Sequence, residues 1–169
     1  MSLQEMTKRS VVERVPDTVL PAYLELLSLV ERLHRLLLDV VKDEFERLGL
    51  LDINSVQALL LFNVGMNEVT AGELKTRGYY QGSNVSYNLK KLVESGYMNH
   101  QRCDVDRRAV RVRLTEKGRG IQTIVGDLFE RQANSMASKG LTGEFRMADI
   151  NAVLKRMERY WTDEIRYIY

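Results

Sequence analysis

The sequence predicts a mainly α-helical chain carrying one small β-hairpin. Apolar residues recur at spacings of three and four along both ends of the chain, the period of an amphipathic helix. Only residues 97–114 alternate in the strand pattern, on either side of a polar turn. Both prolines, Pro16 and Pro21, lie near the N-terminus, so no later helix is interrupted by proline.

Residues 1–16 hold no sustained periodicity and are expected to form a flexible or partner-dependent arm. From Asp17 to Leu48 the series Tyr23, Leu27, Val30, Leu33, Leu37, Val41, Phe45 and Leu48 marks one long helix, which Gly49 stops. Leu26, Leu29, Leu36, Leu38 and Val40 widen its apolar surface beyond a single stripe, so it needs more than one partner. It is read as a dimerisation helix in preference to a central core helix. Asp52 is placed to cap a second helix running to Val64, and Gly65 breaks it. Thr70 and Glu73 have capping-box spacing and start a short helix ending at Gly78. Ser83 then caps a helix in which Val85, Leu89, Leu92 and Val93 share one arc. Asn84, Tyr87, Asn88 and Lys91 fall on the other side, with Ser86 and Lys90 flanking. Two short helices joined by a turn form a helix-turn-helix candidate.

After Gly96, Tyr97–Arg102 and Ala109–Leu114 pair as a hairpin around Cys103–Arg108; Val110, Val112 and Leu114 face inward, Arg111 and Arg113 outward. Thr115 caps a helix to Ser138, although Gly118, Gly120 and Gly126 weaken it. Thr142 caps a last helix whose apolar stripe runs from Phe145 through Trp161, Ile165 and Ile168 to the chain end. An apolar terminus is expected to be docked, against a second subunit in this reading.

Composition narrows function. The chain has 169 residues, 44% hydrophobic and 28% charged, ordinary for a globular protein. Its net charge of +2 hides an asymmetry. Residues 70–119 hold 11 Lys+Arg and 5 Asp+Glu, a net of +6, whereas the remainder nets −4. A basic centre between acidic flanks is the footprint of phosphate contact. The single cysteine excludes an internal disulfide and any CxxC site, and suggests a reducing cytoplasm. No apolar run approaches a membrane span, so no membrane association is expected. His34 and His100 are far apart and without a ligand cluster, so neither metal nor cofactor is expected. No phosphate-binding glycine motif and no catalytic constellation occurs, and the chain is not read as an enzyme.

The segment Ser83-Asn-Val-Ser-Tyr-Asn-Leu-Lys-Lys-Leu-Val-Glu-Ser-Gly96, the turn Asp104-Val-Asp-Arg-Arg-Ala-Val110 and Leu114-Thr-Glu-Lys-Gly118 resemble the MarR family of transcription regulators. The resemblance covers Asp17 to Tyr169. It implies a winged helix-turn-helix with long N- and C-terminal dimerisation helices: a flexible arm over 1–16, a dimerisation helix over 17–50, the DNA-binding domain over 51–118 and further dimerisation helices over 119–169. It also implies a homodimer on a palindromic operator. Leu51-Asp-Ile-Asn-Ser and Gly78-Tyr-Tyr-Gln-Gly-Ser-Asn-Val-Ser-Tyr further resemble the LdtR-type regulators of L,D-transpeptidase genes, which would imply control of peptidoglycan remodelling and envelope stress.

A recognition helix reads base edges mostly from its N-terminal residues. Ser83, Asn84, Ser86, Tyr87 and Asn88 are therefore the candidates for base or groove contacts, and Lys90 and Lys91 for phosphates. With no arginine on this helix, the commonest guanine contact is missing and A·T-rich sites are favoured. In the family an aspartate and the second arginine of D-x-R shape the wing; Asp106 and Arg108 have that spacing, which leaves Arg107 to probe the minor groove. The resemblance also implies a small aromatic effector where the dimerisation helices meet the winged domain, with Leu33, Leu37, Phe62 and Met66 as candidate lining or as plain core. Cys103 is read as incidental in preference to an oxidant sensor. The competing function is a winged-helix module whose basic face docks an acidic protein.

Overall fold

The computed structural model describes residues 19–65, 69–70, 73–74, 82–102, 110–140 and 146–168. They form α1 (Val19–Arg47), α2 (Ser55–Val64), β1 (Val69–Thr70), α3 (Gly82–Glu94), β2 (Met98–Arg102), β3 (Val110–Leu114), α4 (Glu116–Ser138) and α5 (Met147–Ile168). The expected N-terminal arm, residues 79–81 of the turn before Ser83, the wing turn with Cys103 and the Thr142 cap lie outside the described residues; α3 itself begins at Gly82, so Ser83 lies inside the helix and not at its cap. The chain divides between Val56 and Gln57 into two compact units.

In the first unit, α1 runs 29 residues, as the long apolar period predicts. Pro21 sits in its first turn, where a missing N–H costs no intrahelical bond. Its end is closed by Gly49 N–H donating to the Glu46 carbonyl (3.0 Å) and Leu50 N–H to that of Phe45 (2.9 Å). Val41, Phe45 and Ile53 are buried. Toward the N-terminus the apolar face is bare: Leu20, Leu24, Leu33 and Leu36 are all more than half exposed.

The second unit begins within α2. This helix starts at Ser55, with Asn54 immediately before it and Asp52 three positions before its first residue. Asparagine caps as well as aspartate, and Ile53 between the two is buried. Ala58, Leu59, Leu60, Leu61 and Val64 are all buried, so α2 is apolar on several sides and has no single stripe.

The hairpin is part of a three-stranded antiparallel sheet of order β1-β3-β2. The sequence does not reveal β1, because two residues are too few to show alternation. In β1, Val69 pairs with Val112 and Thr70 with Arg111. Met98 pairs with Leu114 and His100 with Val112, placing these four on one face, where Met98, Val112 and Leu114 are buried and His100 is exposed; Asn99, Arg111 and Arg113 are exposed on the other. Thr70 both ends the strand and makes a capping box with Glu73. Its N–H donates to Glu73 Oε2, at 2.6 Å, and Glu73 N–H donates to Thr70 Oγ1, at 3.1 Å. The expected box is thus present, and Leu74 beyond it is fully buried.

Despite its glycines α4 is unbroken over 23 residues, with Thr115 as its cap. Ile121, Val125 and Leu128 face the core. Phe129 meets Phe62 of α2 edge to face, with centroids 5.2 Å apart. A Cβ at Gly126 would meet the Phe62 ring at an ordinary contact distance, 3.8 Å from its Cε2, so nothing in the structure accounts for glycine at either 126 or 120. The last helix starts at Met147 rather than directly after Thr142. Its stripe is exposed along its length, at Met147, Ile150, Val153, Trp161 and Ile165.

Candidate nucleic-acid interface

Helix α3 has two unlike sides. Val85, Leu89 and Leu92 are at most 7% exposed, and α3 packs on β2. Each such burial contributes roughly 1.5–3 kcal/mol, which holds the helix as a fixed part of the domain. The opposite side carries Tyr87, 62% exposed, with Lys90, Lys91 and Glu94. Lys90 Nζ lies 3.8 Å from Glu94 Oε1 and Lys91 Nζ 3.2 Å from Glu94 Oε2. Exposed pairs of this kind are worth only about 0.3–0.5 kcal/mol, so Glu94 holds neither ammonium firmly.

Of the other residues expected to touch DNA, Ser86 is exposed and Asn88 half-buried, at the flank of the helix. The side chains of Ser83 and Asn84, and all of Asp106, Arg107 and Arg108, lie outside the described residues. The structure therefore brings Ser86, Tyr87, Lys90 and Lys91 to one exposed surface. Between α3 and the sheet runs a groove of about 470 Å³ floored by Leu89, Val93 and Val112, with Ser86, Lys90, Glu94 and His100 at its rim. Sequence alone assigns no role to His100; only its cross-strand register with Val112 reveals that it faces α3.

Helix α3 ends at a short turn whose polar groups are used on both sides. The N–H groups of Ser95, Gly96 and Tyr97 donate back to the carbonyls of Lys91, Val93 and Leu92, at 2.9, 3.0 and 2.9 Å. Gly96 has φ 75°, the left-handed conformation this closure requires. The three carbonyls of the same turn accept from the start of α4. Thr115 Oγ1 donates to Gly96 O (2.7 Å), Thr115 N–H to Tyr97 O (3.1 Å) and Lys117 Nζ to Ser95 O (3.3 Å). Lys117 Nζ also lies 3.9 Å from the centroid of the buried Tyr97 ring. Gly118 packs directly on the Tyr97 carbonyl, with no space for a Cβ. The motif Leu114–Gly118 is legible in the sequence; its partners, 19 and 22 residues away for the two side-chain bonds, are not.

Of the expected effector-site residues, Leu33 is 62% and Leu37 36% exposed on α1, while Phe62 is half-buried against Phe129. Met66 lies outside the described residues. Among the described residues no cluster of His, Cys, Asp and Glu is disposed to hold a metal ion, and no helix is long and apolar enough to cross a membrane.

A helix buried on one side and cationic on the other, beside a three-stranded sheet, defines a winged-helix DNA-binding protein. Residues 53–118 match the family model described as a winged helix DNA-binding domain. The chain is 33% identical over 157 residues to the exopolysaccharide II synthesis transcriptional activator ExpG of Rhizobium meliloti (strain 1021), covering 93% of this chain and 80% of that protein. Its fold is similar to that of the transcriptional regulator SlyA, with TM-score 0.70, 21% identity and coverage of 85% of this chain and 99% of that one. It is also similar to a mutant MarR from E. coli complexed with operator DNA, with TM-score 0.64, 21% identity and coverage of 82% and 97%. The chain belongs to a family of winged-helix DNA-binding transcription regulators, a class without enzymes, and its fold is of the MarR type.

Proposed function

We propose that the chain acts as a homodimer on a palindromic double-stranded operator, with α3 in the major groove and the 103–108 turn at the minor groove. The observation that carries this reading is the exposed Tyr87, Lys90 and Lys91 surface on a helix whose other side is locked into the core. Ser83, Asn84, Ser86, Tyr87 and Asn88 serve base or groove contacts and Lys90 and Lys91 hold phosphates. Arg107 and Arg108 complete the contact at the wing, whose turn Asp106 and Arg108 shape.

Dimerisation is supported by the bare apolar faces of α1 and α5, which a second copy would cover. The chain then divides as an arm over 1–16, dimerisation segments over 17–50 and 119–169, and the DNA-binding domain over 51–118. A cytoplasmic location follows from access to DNA. A small aromatic effector would release DNA if it bound only a form with mis-spaced reading helices. Isothermal calorimetry that found effector and operator binding independent would remove that coupling. The proposed targets are genes for cell-envelope functions; the LdtR-type resemblance to regulators of peptidoglycan remodelling and the name of ExpG, an activator of exopolysaccharide II synthesis, support this reading.

The test is a mobility-shift assay with the gene's own upstream region and a scrambled duplex as competitor. Retention of the upstream duplex alone is expected. Equal retention of both would remove sequence-specific regulation. Binding to an acidic protein in place of DNA would favour the interaction module.

A further inference from the structure

We propose that Thr115, Lys117 and Gly118 are positioning residues for operator reading: they fix the tilt of α3 against α4 and thereby set the half-site spacing the protein accepts. The inference deepens the dimeric reading above and rests on it. It starts from the Ser95-Gly96-Tyr97 turn. Every backbone N–H of this turn is spent closing α3, and every carbonyl accepts from residues 115–117. A single ladder bond, Thr115 N–H to Tyr97 O, would suffice to continue the sheet. Two side-chain bonds, the ammonium over the Tyr97 ring and the glycine packed against the Tyr97 carbonyl are additional. Tyr97 is 1% exposed, so the turn is anchored in the core and offers no slack.

The same three residues also begin a long rigid element. Thr115 caps α4 by accepting from Gly118 N–H at 3.1 Å, and Arg119 Nη1 donates back to Leu114 O at 3.2 Å. Helix α4 then continues for 23 residues, about 34 Å at 1.5 Å per residue. Over that length a tilt of roughly 6° displaces the far end by about 3.4 Å, one base step. A joint that slackened by a few degrees would therefore let the two reading helices of a dimer meet half-sites one base pair closer or farther apart. A stiff joint makes spacing part of the specificity.

The experiment measures affinity by fluorescence anisotropy for duplexes whose two half-sites, enriched from random DNA with the full-length protein, are held at the selected separation or moved by one base pair either way. Wild type is expected to prefer the selected spacing at least tenfold. Lys117→Met removes one bond and the ring contact at an exposed position; it should stay folded and dimeric, by thermal melting and sedimentation, while the preference falls at least threefold. Lys117→Arg, which still donates and stacks, should keep it. Gly118→Ala forces the Tyr97 carbonyl away and should flatten or shift the optimum; if it does not fold, Lys117→Met still decides. A folded Lys117→Met dimer with the wild-type preference would overturn the inference and leave the dimeric reading intact. A wild-type dimer indifferent to spacing would also overturn the inference, whereas a wild-type protein that sediments as a monomer on its operator would overturn the dimeric reading itself.

Discussion

Two ammonium groups, on Lys90 and Lys91, share the Glu94 carboxylate on the exposed side of α3. Replacing either lysine by Ala should weaken binding to all sequences alike and reduce the slope of log affinity against log salt by about 1. A loss confined to one operator sequence would assign that lysine to a base instead. Glu94→Gln should act in the opposite sense. It removes a negative charge from the DNA-facing surface and frees both lysines, so affinity should rise roughly threefold at low salt and converge with wild type at high salt. An unchanged affinity at low salt would mean that this side of α3 stays away from phosphates. Arg107→Ala should weaken operator binding at every salt concentration, the signature of a lost groove contact; wild-type affinity across the titration would remove Arg107 from the interface.

At the scale of elements, Gly96 joins the end of α3 to the sheet. A Cβ there meets nothing within 4 Å, so Gly96→Ala costs only the left-handed backbone at φ 75°, about 1–2 kcal/mol. A urea midpoint lowered to match, with an unchanged slope, is expected; an unmoved midpoint would contradict the closure described. The same elements show how far the sequence can be read. The apolar face of α3, the Thr70–Glu73 capping box and the Thr115 cap are legible because each is written within one or two turns of chain. Strand β1 is not, since Val69 and Thr70 make a strand only by pairing with residues some forty positions later. The start of α2 at Ser55 is less legible, because Asp52 and Asn54 are both good capping residues and the local sequence does not choose between them. Within the interface, the outward side of α3 is legible from its angles. The groove-rim position of His100 and the α3–α4 joint are not, because both depend on contacts between distant segments.

For the whole molecule, the bare apolar faces of α1 and α5 support the proposed dimer, in which a second copy would cover them. Trp161→Glu combined with Ile165→Glu, at positions 41% and 61% exposed in the single chain, should yield monomers by sedimentation and lower operator affinity. Dimers unchanged by the pair would move the interface elsewhere. A dimer of this kind places two copies of α3 one turn of DNA apart, about 34–36 Å. If it contacts about 6–10 phosphates, affinity should fall ~10³–10⁵-fold between 50 and 200 mM salt. The central claim, a two-fold symmetric reader of its own regulatory DNA, is tested most directly by hydroxyl-radical footprinting on the gene's upstream region. Two protected half-sites related by a dyad, with centres about 10–10.5 base pairs apart, are expected at a protein concentration that leaves random DNA unprotected. A single unpaired patch, or protection no different from random DNA, would contradict the account.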